Sequence, residues 1–271
     1  MYRLLAIDLD GTLLSPQKLI TPRTYAALAQ AVDAGMKLVI ATGQTLNVLR
    51  AVCAGLTLHG PQIIYNGAIV ADIATGTILQ EQLVPQERIL PTLALLQKTG
   101  FYRVYHTHQH VYVDQDTPNA RNWYRPPVPP ALEVADVVSI YPQPCIKLVG
   151  VGEESTLRAK RRELERLLAD QLYVTQASRD LLEFHHPAVS KGNALKSLAQ
   201  ELNIASEEIV AFGDHHNDIG MLQFAGLGIA MGNAHDEVKT KADYVTLSNS
   251  EDGVAAALEK MVLPYLPTSS P

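Results

Sequence analysis

Asp8-Leu9-Asp10-Gly11-Thr12 places two carboxylates two residues apart, directly after the apolar run Tyr2 to Ile7. Two such charges at the end of a buried strand are costly to hold together without a cation. Mg2+ is the natural counterion, because it is hard and takes carboxylate oxygens. The plainer alternative is a polar turn that caps the strand. Three other polar positions follow apolar runs in the same way. Thr42 follows Leu38-Val39-Ile40-Ala41, Asn66 follows Gln62 to Tyr65, and Asp214 with Asp218 follow Ile209 to Phe212. In open parallel sheets, ligands bind beyond the carboxyl ends of the strands. These residues are therefore expected to converge on one site. Each also has a bland alternative. Thr42, Asp214 and Asp218 suit helix caps. Lys191 suits a solvated helix start, although a cation at that end opposes the helix dipole.

The elements that must position these residues are legible from the pattern. Tyr2 to Ile7 reads as a buried strand. Thr21-Pro22 opens a helix that carries Tyr25, Leu28 and Val32 at helical spacing and stops at Gly35. Lys37 to Ala41 is the next strand, a helix follows to about Ala54, and Gln62 to Tyr65 is the third strand. Strand, helix, strand, helix, strand implies a parallel sheet covered by helices. The texture then changes. A hairpin is expected around Ala74-Thr75-Gly76 and a helix from Pro85 to Lys98. Strands are expected at Tyr102 to His106 and His110 to Val113, then a loop at Pro126 to Pro130. A strand at Ile146 to Val151, a helix at Glu153 to Ala169, and strands at Leu172 to Thr175 and Leu181 to Phe184 complete this block. From Ser190 the alternation resumes, and the tail from Pro264 is expected to be loose. The fold class is thus α/β, a doubly wound, Rossmann-like parallel-sheet core with an inserted α+β domain. The core is expected to span 1–81 and 187–271, and the insert 82–186.

Composition narrows the function classes. Apolar residues make up 47% and charged residues 18% of 271 residues, enough for a real core and against disorder. The formal net charge of −6 argues against a non-specific nucleic-acid binder. Two cysteines, Cys53 and Cys145, form no disulfide framework or four-cysteine zinc site and point to a reducing compartment. Cys53, on an apolar helix, reads as core. Asp8 and Asp10 interrupt the N-terminal apolar run too early for a signal sequence. The charge-free stretch 51–71 contains His59, Gly60, Pro61, Gln62 and Asn66, so it fails as a spanning helix. The expectation is a cytoplasmic protein.

Taken together, four segments resemble the motifs of the haloacid dehalogenase-like (HAD) phosphohydrolases. Asp8-x-Asp10-Gly11-Thr12 resembles the first, Thr42 the second, and Lys191 in Ser190-Lys191-Gly192-Asn193-Ala194-Leu195 the third. Gly213-Asp214-His215-His216-Asn217-Asp218 resembles the fourth. They occur in family order, and the match spans nearly the whole chain. The insert resembles the α/β cap of the Cof-type branch. Asn66-Gly67-Ala68 and Met231-Gly232-Asn233-Ala234 resemble segments of that branch. The resemblance implies that Asp8 is a carboxylate nucleophile and Asp10 a general acid and base. It implies Mg2+ held by Asp8, the backbone carbonyl of Asp10, and Asp214. Thr42 and Lys191 would contact the phosphoryl oxygens. Asn217 and Asp218 would support the metal and Lys191 from behind. Gly11, Gly43 and Asn66 are the implied substrate contacts. Gln44 departs from the branch, which often has Arg after Thr-Gly. Gln lacks the charge and donor fork of Arg, which bears on substrate preference.

The implied activity is Mg2+-dependent hydrolysis of small phosphomonoesters, such as sugar phosphates, through an aspartyl-phosphate. The expected partner is a phosphorylated metabolite, with no nucleic acid or membrane, acting on a monomer or homodimer. Alternatives are a phosphomutase on the same scaffold and a dedicated sucrose- or mannosylglycerate-phosphate phosphatase. A catalytically silent binding protein is disfavoured by the intact set of Asp8, Asp10, Thr42, Lys191 and Asp214. Outside these motifs, Gly150-Val151-Gly152 lacks the third glycine of a dinucleotide loop, and acids follow it, so it is rejected. His106, His108 and His110 alternate. On one strand they would share a face and suit a metal, but a polar face or a turn at Gln109-His110 is the plainer reading. His215 and His216 are expected at a pocket rim. Tyr102, His106, His108, Tyr112, Trp123, Tyr124, Arg125 and the segment Arg179 to His186 are candidates for the substrate-facing side of the cap, whose expected role is to exclude water and select substrates.

Overall fold

In the computed structural model, which describes residues 1–56, 58–115, 117 and 131–266, the first apolar run forms β1 (Leu4–Asp8). All five of its residues are buried, as expected for a strand with a parallel neighbour on each side and helices over both faces. The neighbours are β2 (Lys37–Ala41) and β12 (Ile209–Gly213). β3 (Pro61–Ile64), β4 (Ile69–Asp72) and β5 (Ile78–Glu81) continue on the β2 side, while β13 (Leu227–Ala230) and β14 (Tyr244–Val245) continue on the β12 side. The resulting eight-stranded order is β14-β13-β12-β1-β2-β3-β4-β5. β14 through β3 pair in parallel, and β4 and β5 add an antiparallel edge through the anticipated hairpin. The chain departs in one direction from β1 and in the other from β12, which makes their shared boundary a topological switch point. Asp8 lies opposite Ala41, and Ile7 opposite Phe212. Thr42 and Asp214 therefore leave their strands within one residue of the level of Asp8.

Local signals fix the helices around this sheet. Thr21 Oγ1 accepts the Thr24 N–H at 3.2 Å, and Pro22 occupies the first helical position of Pro22–Asp33. The face this helix buries is Thr24, Ala27, Leu28 and Ala31. Of the three residues at helical spacing, Leu28 is in that face, but Tyr25 is 37% exposed. Mostly small residues, rather than the aromatic, make the buried face. Ser190 Oγ caps Lys191–Glu201 by accepting the Asn193 N–H at 2.9 Å. That helix packs Ala194, Leu195, Leu198 and Ala199 against Leu4, Ala6, Val39 and Ala211 in one apolar cluster. Cys53 caps the end of Leu46–Val52 and is buried, and burial pushes its thiol up to about 12, which makes it inert core. Leu263–Tyr265 forms a 3-10 turn, so regular structure reaches into the tail expected to be loose from Pro264.

The chain divides into two compact units, Met1–Glu81 with Ser190–Pro271, and Gln82–Val189. The second junction thus falls at Ser190 rather than at 187. The second unit contains β6 (Tyr102–His106), β7 (Val111–Asp114), β8 (Ala131–Val134), β9 (Lys147–Val151), β10 (Tyr173–Ser178) and β11 (Leu181–His185). They form a sheet of order β10-β11-β9-β6-β7-β8, antiparallel except for the β7–β8 pair. Ile89, Leu93 and Leu96 of Gln86–Lys98 and Leu157, Leu164 and Leu168 of Glu154–Leu168 pack on Tyr105, Leu148 and Phe184. β8 was not anticipated. The proline-rich loop expected at 126–130 lies outside the described residues, as do Trp123, Tyr124 and Arg125.

Candidate active site

Asp8 ends β1 and is 5% exposed. Its Oδ1 accepts from Lys191 Nζ at 2.5 Å, and the same ammonium donates to Asp218 Oδ1 at 2.7 Å. Lys191 is the first residue of Lys191–Glu201 and is 1% exposed. Burial and the helix dipole both oppose its charge. Asp218 and Asp8 outweigh them and hold its pKa above the usual lysine range. Asp218 uses its other oxygen to accept the N–H groups of Asp214 and His215, at 3.0 and 2.9 Å. One carboxylate therefore grips both Lys191 and the loop that carries Asp214.

Asp214 is oriented from the first motif. Thr12 Oγ1 donates to Asp214 Oδ1 at 3.2 Å. Gly11 has φ +88°, and a Cβ there would lie 2.4 Å from Asp214 Oδ2. Only glycine allows both that backbone conformation and that approach. Asn233 Nδ2 donates to the Gly11 carbonyl at 2.9 Å and reaches Asp214 Oδ2 at 3.4 Å.

Asp10 takes different partners. Lys18 Nζ donates to its Oδ1 at 2.7 Å, and Gln44 Nε2 to its Oδ2 at 2.8 Å. Gln44 also donates its backbone N–H to Thr42 Oγ1 at 3.1 Å. Thr42 is buried, and this bond uses its oxygen as acceptor, which leaves the hydroxyl hydrogen to donate elsewhere. Asn66 donates its backbone N–H to the Thr42 carbonyl at 2.9 Å, and its side chain packs beside Gly43, where a Cβ would lie 3.0 Å from Asn66 Oδ1. Asn66 itself sits at φ 59°. Asn217, expected to support the metal and Lys191 with Asp218, donates from Nδ2 to Asn66 Oδ1 at 2.9 Å.

Asp8, Asp214 and Asp218 each bring a carboxylate oxygen within 4.8 Å of the others. Burial raises the pKa of Asp8 well above the usual carboxylate range. Lys191 works against this shift, while Asp218 and Asp214 add to it. Burial, and then the charge of Asp218, push Asp214 up to about 6. Three carboxylates thus share one ammonium. The donor set fits one hard divalent cation, which would relieve that repulsion with oxygen ligands alone.

All the site residues expected from the core motifs lie in the first unit, and Asp8, Lys191, Asp214 and Asp218 meet directly. The sequence assigns no role to Lys18, Thr12 or Asn233, although Thr12 lies in the first motif. Asn233 lies in Met231-Gly232-Asn233-Ala234, which resembles a segment of the Cof-type branch, whereas a lone exposed lysine at position 18 carries no signal. The three alternating histidines do not form a face. β6 ends at buried His106, and Thr107 N–H then bonds the His110 carbonyl at 2.9 Å, so His108 and His110 are exposed in a turn. Tyr102 is 37% exposed, Tyr112 is half-buried against the apolar cluster of the second unit, and Arg179 is exposed. From the returning segment, Glu183 and His185 are buried and bonded to each other at 3.1 Å.

Residues 5–258 match the family of haloacid dehalogenase-like hydrolases. The chain is 32% identical over 264 residues to 5-amino-6-(5-phospho-D-ribitylamino)uracil phosphatase YcsE of Bacillus subtilis, with 96% of each chain covered. It is 32% identical over 269 residues to pyridoxal phosphate phosphatase YbhA of Escherichia coli, covering 93% of this chain and 96% of that one. A crystal structure of a haloacid dehalogenase-like hydrolase from Bacteroides thetaiotaomicron superposes with a TM-score of 0.84 at 28% identity, covering 96% of this chain and 100% of the other.

Proposed function

The chain belongs to the haloacid dehalogenase-like hydrolase family, and from that premise we propose that it is a Mg2+-dependent phosphatase of small phosphomonoesters, sugar phosphates or similar metabolites. The observation that carries this reading is Asp8 held by Lys191 among three carboxylates at the switch point of the sheet. The Bacillus subtilis and Escherichia coli relatives are both named as phosphatases of small phosphorylated metabolites.

Asp8, the backbone carbonyl of Asp10, and Asp214 would hold Mg2+, with Asp218 behind them. The bound ion supplies positive charge that lets an anionic nucleophile approach an anionic phosphate. Asp8 attacks phosphorus as its carboxylate. Burial disfavours that ionised form and Lys191 favours it. The new bond joins an Asp8 oxygen to phosphorus, and the bond to the alcohol oxygen breaks. Asp10 gives its proton to the departing alkoxide. Asp10 then takes a proton from water, which attacks the aspartyl-phosphate, releases inorganic phosphate and restores Asp8. Lys191 and the Thr42 hydroxyl stabilise the transferring phosphoryl oxygens, the usual route to rate enhancement in phosphoryl transfer.

Asp8→Asn tests the reading. It keeps the shape of the side chain and removes the nucleophile. Mg2+-dependent phosphate release should fall by about four orders of magnitude or more, with an unchanged circular dichroism spectrum. Near-normal turnover in that variant would remove Asp8 as nucleophile. A panel of sugar phosphates, pyridoxal phosphate and nucleoside monophosphates assayed with Mg2+ tests the substrate class.

A further inference from the structure

Beside the carboxylates lies a second group of metal-ligating side chains with a different chemistry. His215 and His216 follow β12, and His235 follows β13. These strands pair in parallel with Gly213 opposite Ala230, so their following loops emerge side by side. The His235 N–H bonds the Asp214 carbonyl at 3.4 Å and ties the loops together. The imidazole centroids lie 5.2 Å apart for His215–His216, 5.2 Å for His215–His235 and 5.1 Å for His216–His235. One ring nitrogen from each lies within 4.8 Å of the other two.

The main chain beneath the rings is anchored, although all three residues are exposed. The His215 N–H is held by Asp218 Oδ2 at 2.9 Å, and the His235 carbonyl accepts the N–H groups of Val238 and Lys239 at 2.9 and 3.1 Å. A fourth side chain orients one ring. Glu237 Oε2 lies 3.0 Å from His216 Nε2. A proton on Nε2, shared with that carboxylate, leaves Nδ1 with the lone pair that a metal requires. Carboxylate-to-imidazole bonds of this type orient metal-bound histidines and raise their basicity.

We propose that His215, His216 and His235 form a binding site for one divalent transition-metal ion of the Zn2+ class, separate from the all-oxygen site of Asp8, Asp214 and Asp218. Imidazole nitrogens suit Zn2+, Co2+, Ni2+ and Cu2+, whereas Mg2+ takes oxygen. Three histidines leave the fourth tetrahedral position to water. Zinc–nitrogen bonds of about 2.0–2.1 Å place tetrahedral ligand atoms about 3.4 Å apart. The present nitrogen separations, within 4.8 Å, would have to close to that spacing through rotation of the three exposed rings. The site stands independently of the phosphatase reading.

The test is equilibrium dialysis of the chelator-stripped full chain against Zn2+ in a large excess of Mg2+, which keeps zinc off the carboxylates. The wild type should bind one zinc. Glu237→Gln should weaken binding about tenfold, His235→Ala should weaken it more, and the His216→Ala/His235→Ala variant should lose the site. Co2+ in place of zinc should give visible absorption in the wild type and not in the double variant. Asp214→Asn, which disables the carboxylate site, should retain the zinc. Unchanged zinc binding in the double histidine variant would overturn the proposal, as would loss of zinc in Asp214→Asn with the histidines intact. Because the surface histidines support no core, matching melting curves without zinc should establish that both variants are folded.

Discussion

Gln44 Nε2 donates to Asp10 Oδ2 at 2.8 Å, from a position where the Cof-type branch often has arginine. The contact puts Gln44 on the proposed acid and base residue. Lys18 holds the other oxygen of the same carboxylate, so Asp10 is positioned by two donors from different loops. Gln44→Ala removes one of them. A hydrogen bond to a charged group contributes about 1.5–3 kcal/mol, so kcat should fall roughly tenfold to a hundredfold while KM changes little. Gln44→Glu should fall further, because it sets a second carboxylate against Asp10. A change confined to KM, with kcat preserved, would return Gln44 to a substrate-binding role.

Lys191 presents a stability question as well as a catalytic one. It is buried between Asp8 and Asp218. Removing one member of a buried ion cluster leaves the rest uncompensated, at a cost of about 3–5 kcal/mol. Lys191→Met should therefore lower Tm, on the order of 10 °C for a chain of this size, besides abolishing turnover. Adding Asp218→Asn to Lys191→Met should recover part of that loss, because one orphaned charge is then gone. If Lys191→Met melts like the wild type, the ammonium does not hold the loops together.

How much of this was legible in the residues follows from the physics of each element. The strands that lead into Asp8, Thr42, Asn66 and Asp214 are almost wholly buried, so they read as mainly apolar runs followed by polar residues. Motif order then united positions separated by up to two hundred residues. The Gln44–Asp10 bond was hidden because it joins residues 34 apart, each in the loop after its strand. Predicting it requires the β1–β2 register and a side-chain direction, neither of which is a composition signal. The His106–His110 alternation left a shared strand face and a turn both open, because period two is compatible with either. Thr107 decides it by closing the turn with both its N–H and its hydroxyl on the His110 carbonyl, at 2.9 and 3.0 Å. β8 escaped because Ala131–Val134 is a sheet edge with no buried position, so it lacks the apolar pattern of its neighbours.

Metal removal should register in stability independently of turnover. Three carboxylates crowd around one ammonium in the first unit, and a cation there relieves their repulsion. A ligand that binds only the folded state stabilises it by about 2.7 kcal/mol at one hundred times its Kd. Saturating Mg2+ should thus raise the Tm of the chelated protein by several degrees, and EDTA should reverse the rise. Asp214→Asn should abolish the response. A Tm insensitive to Mg2+ in the wild type would contradict the carboxylate site.

The second unit should respond to acid through Glu183, His185 and His106. Lys147 and His185 both contact Glu183, and all four residues are buried. Burial lowers the pKa of His185, against the pull of Glu183, and lowers that of His106, with Lys147 adding to the effect. Burial works against the charge of Glu183, but Lys147 and His185 together hold it below the usual carboxylate range. For the histidines, the unfolded chain takes up protons near the ordinary value of 6.5, while the folded chain stays neutral. Stability from these groups is therefore full above about pH 6.5 and falls as pH drops below it, by up to about 1.4 kcal/mol per pH unit for each histidine. Glu183 has the same sign in a lower window, because the unfolded chain protonates it near 4.5 before the folded chain does. Melting temperatures should decline from pH 6.5 to 5, and His185→Gln, which keeps a donor for Glu183 but cannot titrate, should decline less steeply. Equal slopes for the two proteins would show that His185 does not carry the acid sensitivity.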